Sequence, residues 1–315
     1  MSPFFSVIIT AYNYGRFIEQ AIESVIRQEG ILSEEREIIV VDDGSTDDTA
    51  QRLARFKSEI VLVKQENSGQ AASINAALSV CRGEVAVFLD ADDYFYPAKL
   101  ASLKAMFISR PQVDVVYHAL RIVDGAGNAR GQLGEHRSGN RFTEFPLRRL
   151  LSGKIPFCPE TSCIAVRISC LNNIVPVPAS LKLCADWYIN ILLTLYARQY
   201  AFITELLGAY RIHEANLWKN KASPNKNSAV EVEIMTLTRE AVAGHGRRLG
   251  FGVGRALKLF DSILVEFHVV RLKAAGKKKE AFLRALRWND FSSEAWNIPR
   301  RCIKKLAFLW NVLVR

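Results

Sequence analysis

The chain has 315 residues, 49% of them hydrophobic and 23% charged, with a formal net charge of +10. That length and apolar content suit a folded domain with a large core and exclude a disordered polypeptide. No apolar run approaches the roughly 20 residues that cross a bilayer, and the amino terminus MSPFFSVIIT has no basic segment ahead of a cleavable apolar stretch, so a cytoplasmic protein is expected.

The first part of the chain alternates strand and helix signals. Phe5 to Ile9, Ile38 to Val41, Ile60 to Val63, Val85 to Leu89 and Val113 to Tyr117 are short apolar or β-branched runs that predict strands. Between them, Arg16 to Gln28, Asp48 to Phe56, Gln70 to Val80 and Pro97 to Ser109 carry helical periodicity; Phe17, Ala21, Ile22, Val25 and Ile26 give the first of these a buried face. Such alternation predicts an α/β fold with a mostly parallel sheet covered by helices. After Tyr117 the pattern loosens. Asp124 to Asn128 reads as a turn and Gly131 to Gly139 as a polar loop; Arg141 to Leu151 and Asp186 to Ala197 read as helices, Thr161 to Val166 and Leu206 to Arg211 as strands. From Ser228 onward the pattern is helical, broken at Gly250 to Gly254, Gly276 and Pro299.

The six cysteines form no CxxC pair, and in a chain without an export signal they are expected to be reduced. The charge is uneven. From Arg271 to Arg315 there are twelve Lys or Arg against three acids, Glu280, Asp290 and Glu294, so nearly all the excess sits in the tail.

Strand ends carry the chemistry. Phe88 to Asp93 reads FLDADD, a strand closing in three carboxylates, and parallel α/β sheets bind ligands beyond the carboxyl ends of their strands. Carboxylates so clustered repel unless a cation neutralises them, and a hard divalent ion held by one or two of them together with substrate phosphates fits best. Strand one ends in Thr10-Ala11-Tyr12-Asn13 and strand two in Val41-Asp42-Asp43-Gly44-Ser45-Thr46-Asp47. A carboxylate such as Asp43 can accept from a ring N–H of a base while a ring such as Tyr12 stacks on it. Helix capping by Ser45 or Asp47, with Tyr12 in the core, is the plainer alternative.

Taken in order, SVIITAYNYGRFIEQAIESVIRQ, EIIVVDDGSTDDT, QENSGQAASINAAL and GEVAVFLDADD resemble the nucleotide-sugar half of family 2 glycosyltransferases, over about Ser6 to Leu120. Two short later pieces, Cys184-Ala185-Asp186-Trp187 and Tyr210-Arg211-Ile212-His213, extend the resemblance. It implies a GT-A fold with a helical carboxyl-terminal extension. Residues 1–220 would be the catalytic domain, 1–120 its nucleotide-sugar half and 121–220 its acceptor half, and 221–315 the extension. It also implies inverting transfer of a sugar from a nucleoside diphosphate, UDP or dTDP, to a glycan or lipid-linked acceptor in surface polysaccharide or glycolipid synthesis.

By the same resemblance Thr10, Tyr12 and Asp43 surround the nucleoside, with Gly69, Gln70 and Asn75 flanking it. Asp90 and Asp92 form a DXD element for Mn2+ or Mg2+, Asp92 nearest the ion and Asp90 toward the ribose or sugar. Asp93 is expected to cap the helix near Pro97. Asp186 matches the catalytic base, although Ala185 stands where the family commonly has a first acid. His213 is expected as a further metal ligand, Arg211 as a phosphate partner, and Asn216 to Asn227 as a mobile lid. A noncatalytic binding relative and a sugar-phosphate nucleotidyltransferase are the alternatives, the latter short of glycines between Thr10 and Arg16.

Leu257, Phe260, Ile263, Leu264, Phe267 and Val270, and then Ile303 to Leu313, line helical faces flanked by basic residues. Such helices either lie on an anionic membrane surface, the inner face being the expected one, or pack on the catalytic domain. No nucleic-acid motif accompanies the charge, and nothing in the sequence sets the oligomeric state.

Overall fold

Strands β1 (Phe5–Ala11), β2 (Arg36–Asp42) and β4 (Val85–Asp90) read as unbroken apolar runs because both of their faces are buried. Phe5, Val7 and Ile9 of β1 pack into one core and Ile8 into another on the opposite side of the sheet; Val85, Val87 and Leu89 of β4 likewise part from Ala86 and Phe88. These observations come from a computed structural model that describes residues 2–133, 141–144, 146–151, 160–214, 216, 224–274, 277 and 280.

Together with β3 (Val61–Lys64), β5 (Tyr94–Phe95), β6 (Val113–Asp124), β9 (Ile164–Arg167) and β10 (Gln199–Ile212) they order as β3-β2-β1-β4-β9-β6-β10-β5. A further strand, β7 (Ala129–Leu133), pairs with β6, and β8 (Arg141–Glu144) pairs with β10. The first four are mutually parallel, as are β6 and β10, while β9 enters antiparallel to both β4 and β6. The sheet is mixed and mostly parallel, flanked by helices. One core face is closed by α1 (Gly15–Ile26) and α4 (Lys99–Ser109), the other by α3 (Gln70–Leu78), α7 (Ala185–Tyr196), α8 (Pro224–Leu249) and α9 (Gly254–Ala274). Short helices α2 (Thr49–Leu53), α5 (Pro146–Leu151) and α6 (Ile168–Leu171) complete the set.

Several expected boundaries shift. Residues 141–144 are the strand β8 rather than the start of a helix, because they pair with Gln199 to Phe202 of β10. Residues 129–133 pair with β6 as β7 instead of looping. Thr161–Cys163 is a 3-10 turn ahead of β9, and the strand read as Leu206 to Arg211 runs from Gln199. Cys81, Cys163, Cys170 and Cys184 are free thiols; Cys158 and Cys302 lie outside the described residues.

The carboxyl-terminal helices share the core of the sheet. Phe260 is fully buried, and Leu257, Ile263 and Leu264 pack beside it. This stretch of the apolar face therefore docks on the catalytic side, while the side chains of Phe267 and Val270 and all of Ile303 to Leu313 lie outside what the structure describes. Among the described residues no helix is long and apolar enough to cross a membrane.

Candidate active site

The parallel register of β1, β2 and β4 sets the site. Thr10 pairs with Val41 on one side and Asp90 on the other, so the chain segments after all three strands leave the sheet along one edge. A cleft of about 510 Å³ opens there, and Thr10, Tyr12, Asp43, Gly69, Asp90, Asp92 and Asp186 all line it. Gln70 lines it too, so eight of the eleven residues expected at the nucleotide, the metal or the reacting centre meet in one cavity. Asn75, Arg211 and His213 are not among its lining residues.

In this cleft Asp43 is fixed by three donors from the loop after β3. Its Oδ1 accepts from Gln65 Nε2 at 2.6 Å and from the Ser68 N–H at 2.7 Å, and its Oδ2 from the Gly69 N–H at 2.8 Å. Gly44, with φ of +75°, lets that loop close in: a Cβ there would lie 2.7 Å from the Asn67 nitrogen. Asp47 Oδ1 accepts the Thr49 N–H at 2.9 Å at the start of α2, but both Ser45 and Asp47 also reach across to the β1 side. Ser45 Oγ accepts the Asn13 N–H at 3.0 Å and Asp47 Oδ2 the Gly15 N–H at 3.0 Å, tying the β2 loop to the start of α1. Tyr12 remains 38% exposed, available to stack rather than sunk in the core.

Gly69 is the cap residue of α3, but the first amides of that helix are already taken. Gln70 and Ala71 donate to the carbonyls of Lys182 and Leu181. Asn75 pairs twice with Val177, Nδ2 donating to its carbonyl at 2.7 Å and Oδ1 accepting its N–H at 2.9 Å. Asn75 therefore clamps the segment before α7 to α3 instead of facing a nucleotide.

The FLDADD carboxylates separate in role. Asp90 and Asp92 face the cleft, and Ser162 Oγ accepts the Asp90 N–H at 3.0 Å. Asp93 is buried and accepts the Arg211 N–H at 2.7 Å; α4 has Ala98 at its cap position and no side-chain cap, so Asp93 is not the cap expected of it. Burial, then the charges of Asp92 and Asp186, push the Asp90 carboxyl well above the usual range, and burial with Asp92 and Asp90 does the same for Asp93.

Arg211 is the clearest departure from the sequence reading. Its Nε donates to the Asp92 carbonyl at 2.7 Å, one terminal nitrogen to Gly125 O at 3.3 Å and the other to Gln20 Oε1 at 2.6 Å, while the guanidinium stacks over Phe17 and faces Tyr94. Only 4% exposed, it sits beneath the floor as a clamp on Asp92 and Asp93, not in the cleft as a phosphate partner. Gln20 and Phe17 come from α1 and Tyr94 from β5, and no sequence spacing announces their convergence on Arg211.

His213 packs on Phe17 and edge-on to Tyr14, with Nε2 2.9 Å from Asp92 Oδ2. Asn216 Nδ2 donates to the same oxygen at 3.1 Å. Among the described residues no group of three or more His, Cys, Asp or Glu is arranged to hold a metal ion. The donor types do fit one: the carboxylates of Asp90 and Asp92 line the cleft with the His213 imidazole against Asp92, and a divalent ion would relieve the carboxylates' repulsion. Of the expected lid, Asn216 and the backbone of residues 224–227 alone fall within the described residues.

Asp186 stands in the first turn of α7 and lines the same cleft. Cys184, in the left-handed region at φ 55°, turns the chain into that helix, and Gln70 Oε1 accepts the Ala185 N–H at 2.9 Å. Ala185 is fully buried in the core and does not line the cleft, so the missing first acid removes nothing from the cavity. Burial lifts the Asp186 carboxyl to about 6, offset in part by hydrogen bonds from the Trp187 N–H at 2.9 Å and the Thr161 hydroxyl at 3.2 Å. Glu160, Thr161 and Lys182 also line the cleft and were not singled out in the sequence.

The model of the family described as Glycosyl transferase family 2 matches residues 6–170, just over half of the chain. The chain belongs to glycosyltransferase family 2. An uncharacterized glycosyltransferase of Nostoc sp. is 32% identical over 254 residues, covering 78% of this chain and 77% of that protein. The poly(ribitol-phosphate) beta-N-acetylglucosaminyltransferase TarS of Staphylococcus aureus is 32% identical over 127 residues, 39% of this chain and 22% of that one. The minor teichoic acid biosynthesis protein GgaA of Bacillus subtilis is 35% identical over 144 residues, 44% of this chain and 31% of its own length. The chain thus matches under a third of these two proteins. In fold, it is similar to the crystal structure of S. aureus TarS 1-349 in complex with UDP-GlcNAc, with a TM-score of 0.60 at 21% identity, covering 88% of this chain and 81% of that one.

Proposed function

We propose that this family 2 glycosyltransferase moves a sugar, with inversion, from UDP or dTDP to a hydroxyl of a glycan or lipid-linked acceptor in surface polysaccharide or glycolipid synthesis. The observation that carries the reading is that Asp43 and Tyr12, Asp90 and Asp92, and Asp186 line one cleft, which supports roles toward nucleoside, diphosphate and reacting centre in turn. Relatives whose names concern teichoic acid and poly(ribitol-phosphate) support a polymeric acceptor. A neighbour in fold bound to UDP-GlcNAc supports a uridine donor.

In this reading Asp43 accepts from the base with the one acceptor site its three loop donors leave on Oδ2, and Tyr12 covers the ring. Asp186 accepts the proton of the acceptor hydroxyl as that oxygen closes on C1, which raises the nucleophilicity of an otherwise poor nucleophile. Trp187 N–H and Thr161 hold its carboxylate in orientation. Asp92, Asp90 and His213 would hold Mn2+ or Mg2+, which when bound offsets charge on the departing diphosphate. Arg211 keeps Asp92 in place from below. The basic tail is proposed to rest on the anionic inner face of a membrane; equal sedimentation with phosphatidylglycerol vesicles after removal of the residues beyond Gly276 would discard that part.

A thermal-shift panel of nucleoside diphosphates with and without Mn2+ tests the site, since a ligand bound only to the folded form raises its stability. UDP with Mn2+ is expected to raise Tm by more than the two separate effects combined. Asp92→Asn should remove the surplus while leaving the shift from UDP alone. A panel in which no nucleotide moves Tm contradicts the reading.

A further inference from the structure

With Arg211 enclosed beneath the floor, the protein cation for a diphosphate has to come from elsewhere. Five carboxylates line the cleft, Asp43, Asp90, Asp92, Glu160 and Asp186, and among the described lining residues the one Lys or Arg is Lys182. We propose that Lys182 binds the diphosphate of the donor, an assignment that rests on the nucleotide-sugar reading of the cleft.

Three observations place it there. Lys182 is exposed, and its Nζ donates to the Ser68 carbonyl at 2.7 Å, a neutral backbone acceptor. An ammonium has three donors, so two are left for phosphate oxygens, and an exposed bond to a carbonyl contributes little enough to be exchanged. Second, the stem of the side chain lies flat on Gly69: a Cβ on that glycine would come 2.6 Å from Lys182 Cα and 2.7 Å from its Cδ. Gly69 and Ser68 are the residues whose N–H groups hold Asp43, so the ammonium is anchored at the nucleoside end. Third, Lys182 lies four residues before Asp186 in the segment leading into α7. A donor laid from Asp43 toward Asp186 carries its diphosphate between these two points, beside Lys182. The absence of Glu or Asp paired with Lys182 among the described ion pairs leaves its charge for such an anion.

Binding of UDP and of uridine to the full chain, each by calorimetry with Mn2+ held constant, separates a phosphate contact from a mere tether of the Ser68 loop. Lys182→Met is expected to weaken UDP about tenfold while uridine changes by less than about twofold, as loss of one charge-assisted contact implies. Lys182→Arg, which keeps the charge, should retain UDP affinity to within about threefold. Equal weakening of UDP and uridine would make Lys182 a loop tether and overturn the assignment, as would unchanged affinity for both. Failure of the unaltered protein to bind either ligand would overturn the reading of the cleft and this assignment with it.

Discussion

Asp186→Asn is expected to lower kcat by at least about a hundredfold, the range in which a positioned general base acts, while UDP affinity stays within about threefold. The amide keeps the shape and the hydrogen bond from the Trp187 N–H but cannot take a proton. A second signature follows from the pKa. Burial lifts the Asp186 carboxyl to about 6, and a base works only when deprotonated, so kcat/KM should fall as pH drops below about 6. Thr161 donates to the charged form and therefore lowers that pKa. Thr161→Val should move the acid limb of the pH–rate profile to higher pH. A limb that stays put would remove Thr161 from the mechanism, and an unaltered rate in Asp186→Asn would remove Asp186.

Arg211→Met is expected to lower unfolding stability by about 3 kcal/mol, measured by urea denaturation, because several hydrogen bonds of a buried cation disappear and their acceptors are left in a dry floor. The acceptors are the Asp92 carbonyl, Gly125 O and Gln20 Oε1, and the rings of Phe17 and Tyr94 lose the guanidinium between them. Asp92 would then be held less firmly, so transfer should fall as well. If Arg211 instead bound phosphate from the cleft, Met would leave stability within about 0.5 kcal/mol, as at an ordinary surface site, and weaken UDP.

The parts of this site that were legible in the sequence are those written locally. A strand buried on both faces is a continuous apolar run, so β1, β2 and β4 and the carboxylates at their ends can be read in order, and parallel pairing then brings Thr10 beside Asp90. FLDADD as a string does not say which carboxylates face the cleft. That depends on Arg211, whose N–H takes Asp93 from 118 positions away. Asn75 looks like a residue beside a nucleotide until Val177, 102 positions on, closes both halves of its amide. Glu160, Thr161 and Lys182 carry no motif because they reach the cleft on irregular segments set by where β9 and α7 pack. The antiparallel insertion of β9 and the pairing of β8 with β10 were hidden for the same reason: short segments get their partners from the sheet, not from their own periodicity.

Glu160 gives the stereochemistry its interest. A single displacement needs Asp186 alone, whereas retention by double displacement needs a second carboxylate acting as nucleophile, and Glu160 lines the same cleft. Proton NMR of the free sugar released when a UDP-sugar is turned over with water as acceptor, recorded before mutarotation, distinguishes them. The released sugar is expected in the anomeric configuration opposite to that of the donor, with release suppressed in Asp186→Asn; a sugar of retained configuration, or release indifferent to that substitution, would rule out Asp186 as the base of a single displacement.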